Sequence, residues 1–121
     1  MQKVIKAEIK DLEDVKHFSI RLFEVMEGLD FIDRFVGSKD RSIKNYLSDL
    51  LPLATLLDAN GQETVDVMSL EKAKTYFQNP LAVIELAMAV FEHQKVFMKE
   101  SKVFQPYLAA LGKSLDFRTL D

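Results

Sequence analysis

The chain has 121 residues, 48% of them apolar, with 16 basic and 19 acidic side chains and a net charge of −3. That length implies one domain, and the absence of cysteine excludes a disulfide framework and thiolate metal sites. The acidic balance argues against non-specific nucleic-acid binding, which rests on clustered Lys and Arg against phosphates.

The chain opens with a period of two. Ile5, Ala7 and Ile9 fall on one face, and Lys6, Glu8 and Lys10 on the other. After the polar stretch Asp11-Leu12-Glu13-Asp14, residues His17 to Phe23 alternate again, with Phe18, Ile20 and Leu22 opposite His17, Ser19 and Arg21. Two such runs predict a β-hairpin. At Glu24 the period lengthens, and Val25, Leu29, Ile32 and Phe35 or Val36 are expected to form the inward face of a helix. Its wet side holds Glu24, Glu27, Asp30 and Asp33, and Gly28 is expected to admit close approach of the hairpin.

From Lys39 to Asp58 the leucine spacing predicts a second helix, kinked or broken near Leu51 by Pro52. Asp58-Ala59-Asn60-Gly61 is a stop signal, and Glu63 to Met68 reads as a linker or a very short strand. Ser69 can cap a short helix, LEKAKTYFQ, with Leu70, Ala73 and Phe77 inward. Asn79 and Pro80 suit the start of a long helix reaching to about Phe104. Its front half, Leu81 to Phe91, reads as a buried spine. Its back half, from Gln94 on, reads as amphipathic, basic and half wet. Pro106 interrupts, and a last helix, YLAALGKSL, is expected before a loose tail.

The expected fold is therefore α+β but mostly helical. An N-terminal β-hairpin (1–23) packs on a bundle of about four to five helices (24–112) with one long C-terminal helix, and a tail (113–121) follows. The longest apolar run is broken at Glu85 and is too short for a membrane span. The N-terminus lacks the apolar centre of a signal peptide, so the expectation is a soluble cytoplasmic protein.

No constellation for catalysis stands out. Glu24, Glu27, Asp30 and Asp33 share a helix side, but a metal or acid–base site needs partners from a second element, and a solvated face is the ordinary reading. His17 and His93 have no second histidine at ligand spacing. There is no GxSxG motif, and only 4 glycines are present, none in a phosphate-cradling loop. No catalytic, cofactor or metal residue is therefore assigned. What remains is an aromatic and methionine series running off the long helix. Within it, Phe97, Met98, Val103, Phe104, Tyr107 and Leu108 form a candidate partner-binding surface.

The order FSIRLFEVMEGLDFIDRF, YLSDLLPLATLLD and NPLAVIELAMAVFEHQKVF resembles the small tail assembly chaperones of long-tailed bacteriophages and prophages. The resemblance implies binding rather than chemistry. Such proteins coat the apolar, helical tape measure protein in the host cytoplasm, recruit tail tube subunits and leave before the particle matures. It implies tape measure and tail tube proteins as partners, with self-association possible, and no membrane or nucleic acid. Another reading of the residues is a small helical regulatory adaptor that meets a host or phage protein through the acidic face.

Overall fold

The computed structural model describes residues 4–37 and 43–98. Two strands open the chain, β1 (Val4–Asp11) and β2 (Asp14–Arg21), paired antiparallel from Val4 opposite Arg21 to Asp11 opposite Asp14. The hairpin predicted from the period of two is present, with its inward row Ile5, Ala7, Ile9, Phe18 and Ile20 packed in the core. Its tight turn forces Leu12 to a φ of 57°, a conformation that costs a non-glycine residue.

Helix α1 (Val25–Gly37) and helix α2 (Ile43–Leu50) follow. At Pro52 the leucine-rich stretch breaks, as its proline requires, but it does not resume as a helix. Leu51–Leu53 makes a single 3-10 turn, and Ala54–Leu57 becomes strand β3. β3 pairs antiparallel with β2, Ile20 opposite Ala54 and Phe18 opposite Leu56. The segment 58–62 turns the chain: Asp58 Oδ1 accepts the N–H groups of Asn60 and Gln62, and Gly61 supplies a φ of 77°. The chain returns as β4 (Glu63–Val67), which pairs with β3.

The expected fold is thus overturned. The chain is not a mostly helical bundle of four to five helices with an appended hairpin and one long C-terminal helix. It is a small α+β protein built on a four-stranded antiparallel sheet of order β1-β2-β3-β4. The physical reason is that Ala54-Thr55-Leu56-Leu57 carries no periodic signal of its own. These residues gain more by completing the backbone bonds of β2 and covering Phe18 and Ile20 than by extending a helix beyond a proline.

Helix α3 (Leu70–Tyr76) starts at Ser69, whose hydroxyl accepts the Lys72 N–H at 3.1 Å. Ala73 and Phe77 turn inward as predicted, and the Phe77 ring stacks on Phe18 at 5.8 Å. Helix α4 (Pro80–Met98) has its first free N–H, that of Leu81, on the Asn79 side chain at 3.1 Å. It crosses the inner face of β1 and β2 and touches α2. Ala82, Leu86, Ala87, Val90 and Phe91 are buried in it, while Leu81, expected inside, is exposed. The expected continuation to Phe104, the helix YLAALGKSL and the tail lie outside the described residues. Among the described residues no helix is long and apolar enough to cross a membrane.

Two polar clamps hold α4 to the hairpin. At its start, the buried Asp11 carboxylate accepts the N–H groups of Gln78 (3.0 Å) and Asn79 (2.8 Å) and meets Lys16 Nζ at 3.3 Å. Burial opposes the Asp11 charge, yet those two N–H groups and the Lys16 ammonium outweigh it and hold the carboxyl below its ordinary range. Near its other end, Gln94 is fully buried. Its Oε1 accepts the Phe23 N–H at 2.8 Å, and its Nε2 donates to the Arg21 carbonyl at 2.9 Å and to the Val90 carbonyl at 3.2 Å. Gln94 therefore belongs to the core and not to the half-wet stretch expected to begin with it.

Candidate interaction surface

Gln94 fixes the three residues that join β2 to α1, and so sets where α1 begins. Arg21, the last residue of β2, forms a two-pronged ion pair with Glu27, at 2.6 and 2.9 Å. Glu27 Oε1 also accepts the Glu24 N–H at 2.9 Å, one half of a capping box, which satisfies a backbone donor at the helix start. The Arg21 guanidinium, against the cost of partial burial and aided by that N–H, lowers the Glu27 carboxyl to about 2. Glu27 therefore has a structural role and is not part of a free acidic face.

With its first turn held this way, α1 turns Gly28 and Phe31 inward. The Phe31 ring lies 5.2 Å from that of Phe23. A methyl placed on Gly28 would meet Phe23 Cβ at 3.4 Å, ordinary contact, so the close approach expected of this glycine is not one that only glycine permits. The helix is turned only partway from the expected orientation: Ile32, expected inside, packs against the core, and Glu24, Asp30 and Asp33, expected outside, are exposed. Val25 and Leu29, expected inside, are 78% and 53% exposed, and Met26 beside them is 67% exposed. The three-to-four spacing alone misplaced Val25 and Leu29, because it left out the ion pair and the Phe23–Phe31 contact that turn the helix.

The outward side of α1 therefore displays three large apolar side chains within two turns. Asp30 and Asp33 extend the same side and are exposed. Further along, Arg34 reaches across to Asp49 of α2 at 2.7 Å. Burial pushes the Asp49 carboxyl up, Arg34 opposes this, and the charge of Asp30 adds to it. The acidic ladder is accordingly divided. Glu27 is bound to Arg21, Glu24 sits at the cap, and Asp30 and Asp33 face solvent.

Of the six predicted partner-binding residues, Phe97 and Met98 lie in the last turn of α4, one turn beyond Gln94. Val103, Phe104, Tyr107 and Leu108 lie outside the described residues. His17 is exposed on β2 and His93 is buried in α4, and among the described residues no group of three or more His, Asp or Glu could hold a metal ion.

A second apolar feature lies at the other end of α4. Leu70, Ala73, Phe77, Pro80 and Val83 line an open groove of about 240 Å³ between α3 and α4, with Lys74 at its edge. Nearby, Asp66 of β4 is tied to α3 by the Tyr76 hydroxyl and by Lys72 Nζ at 3.2 Å. This leaves Val65, 91% exposed, on the other side of that edge strand. No protein-family model matches the sequence, and no curated protein or solved structure is significantly similar to it.

Proposed function

We propose that this chain is a binding protein rather than a catalyst. In this reading it serves as a tail assembly chaperone of a long-tailed bacteriophage or prophage, in the host cytoplasm. It holds an apolar, helical tape measure protein soluble while tail tube subunits gather. The observation that carries this reading is the outer side of α1, where Val25, Met26 and Leu29 stand in water on a helix whose other side is firmly fixed. Adjacent large apolar side chains left exposed on a small domain mark a surface that another chain covers. A helical partner laid along such a side is a standard mode of recognition.

The resemblance of FSIRLFEVMEGLDFIDRF and NPLAVIELAMAVFEHQKVF to such chaperones supports the same reading, and the two stretches meet where Gln94 accepts the Phe23 N–H. Each contact is small, so affinity for a very long partner comes from many copies bound side by side. Phe97 and Met98 follow Gln94 in the last turn of α4 and are carried into the test as the expected partner-binding pair. Co-expression tests the reading. A tape measure protein encoded beside this gene should move into the soluble fraction with the chain, and replacing Phe97 and Met98 by serine should weaken the capture without altering the circular dichroism spectrum. A tape measure protein that stays insoluble with the wild-type chain present overturns the proposal.

A further inference from the structure

The outer side of α1 has a charge pattern as well as an apolar one. At roughly 100° per residue, Val25 and Leu29 form one column along the helix. Met26 heads a second column that continues through Asp30 and Asp33. Among the described residues, the two arginines paired at this helix are already engaged, Arg21 by Glu27 and Arg34 by Asp49. Among the described residues Asp30 and Asp33 form no ion pair, and they are exposed beside the apolar column. A neutral apolar helix laid here would desolvate the edge of two carboxylates with nothing in return. A second copy of the chain, of net charge −3, would bring the same acids with it. A helix with basic side chains along one flank neutralises them and fills the apolar column at once.

We propose that this side of α1 docks a basic amphipathic helix of the partner, its apolar stripe on Val25, Met26 and Leu29 and its Lys or Arg side chains over Asp30 and Asp33. The inference rests on the reading of the chain as a chaperone for a helical partner and adds the surface and the charge of that helix. Apolar contact supplies the affinity. The two aspartates select the sign of the flank and the direction in which the helix lies.

The test uses the full-length chain and two synthetic amphipathic helices with the same leucine stripe, one flanked by lysines and one by glutamates, titrated by fluorescence anisotropy. The lysine peptide should bind roughly tenfold or more tightly than the glutamate peptide. Met26→Gln with Leu29→Gln should weaken it by about tenfold, and Asp30→Lys with Asp33→Lys should reverse the preference. All four side chains are exposed, so unchanged circular dichroism is expected for both variants. Equal binding of the two peptides overturns the proposal, as does unchanged binding by the Met26/Leu29 variant. Two further results overturn it by naming another occupant. One is a dimer in sedimentation that the Met26/Leu29 variant abolishes. The other is no peptide binding at all by the full chain, its own residues then closing this side.

Co-expression with the tape measure protein separates this inference from the function it rests on. Capture by the wild type and loss of capture by the Met26/Leu29 variant support both. Capture by both proteins removes the surface and leaves the function. Capture by neither removes the function, while the peptide titration still decides the surface.

Discussion

Replacing Gln94 by leucine tests whether one amide holds the junction of sheet and helix. The change keeps the side chain's approximate size and removes all its polar atoms. Two backbone groups at a partly buried joint, the Phe23 N–H and the Arg21 carbonyl, then lose partners now at 2.8 and 2.9 Å. An unpaired buried donor or acceptor costs about 1–3 kcal/mol, and the apolar side chain recovers part of the sum through its own burial. The net loss should be about 2–4 kcal/mol, a large share of the stability of a small domain. Urea unfolding followed by circular dichroism should show a lower midpoint with an unchanged slope. Gln94→Glu sharpens the test. Its carboxylate can accept from Phe23 but cannot donate to the Arg21 carbonyl, and it places a charge in a dry site. The folded-state pKa of the introduced carboxyl should therefore rise above its unfolded value of about 4.3. Stability is then greatest below that value and falls as pH climbs toward the raised one. A loss under about 0.5 kcal/mol for the leucine variant, within the usual range for a surface substitution, or a glutamate variant that gains stability with rising pH, would show that the amide is not the clamp described.

Leu12→Gly should stabilise the hairpin by up to about 1 kcal/mol, because it relieves a positive φ at an exposed site; a lower thermal midpoint would contradict this. Gly28→Ala should add about 0.5–1 kcal/mol through helix propensity, since the new methyl meets Phe23 at ordinary contact distance, and destabilisation would mean that the contact is tighter than 3.4 Å implies. Glu27 has its folded pKa lowered to about 2 from 4.5, so its contribution is present above about pH 4.5 and is lost as pH falls toward 2. Both partners are a little over a third exposed, and solvent screening holds that contribution below about 1 kcal/mol; the gap between wild type and Glu27→Gln, measured by urea unfolding, should close on acidification.

Local signals in the chain were reliable where the physics is local. The hairpin showed in its alternation, the starts of α3 and α4 in Ser69 and Asn79, and the break after Leu50 in Pro52. Strand β3 was not legible. Its partner residues lie more than thirty positions upstream, Ile20 opposite Ala54, and nothing within Ala54–Leu57 announces them. The orientation of α1 was hidden for a related reason. Val25 and Leu29 have the spacing of a core face, but Arg21, Glu27 and the Phe23–Phe31 pair decide which side is held down, and these contacts cross from strand to helix. Two of the three apolar side chains of the candidate surface, Val25 and Leu29, thus came from positions that the spacing had placed inside. Gln94 shows the converse, a polar residue that hydropathy sends to water and that two backbone groups of another element draw into the core.

The two clamps on α4 also set a ruler. From Asn79 to Gln94 the helix rises about 22 Å, and from Asp14 to Arg21 the neighbouring strand spans about 23 Å. Helix and strand are commensurate, with Asp11 marking one end and Gln94 the other. Such a pair tolerates changes of side chain far better than changes of length. One residue added or removed between Pro80 and Val90 turns Gln94 by roughly 100° and withdraws it from the joint, and a whole added turn restores the angle while overshooting by about 5 Å. In natural variants of this chain, insertions and deletions should therefore collect in the connections around α1 and α2 and avoid the stretch from Pro80 to Gln94.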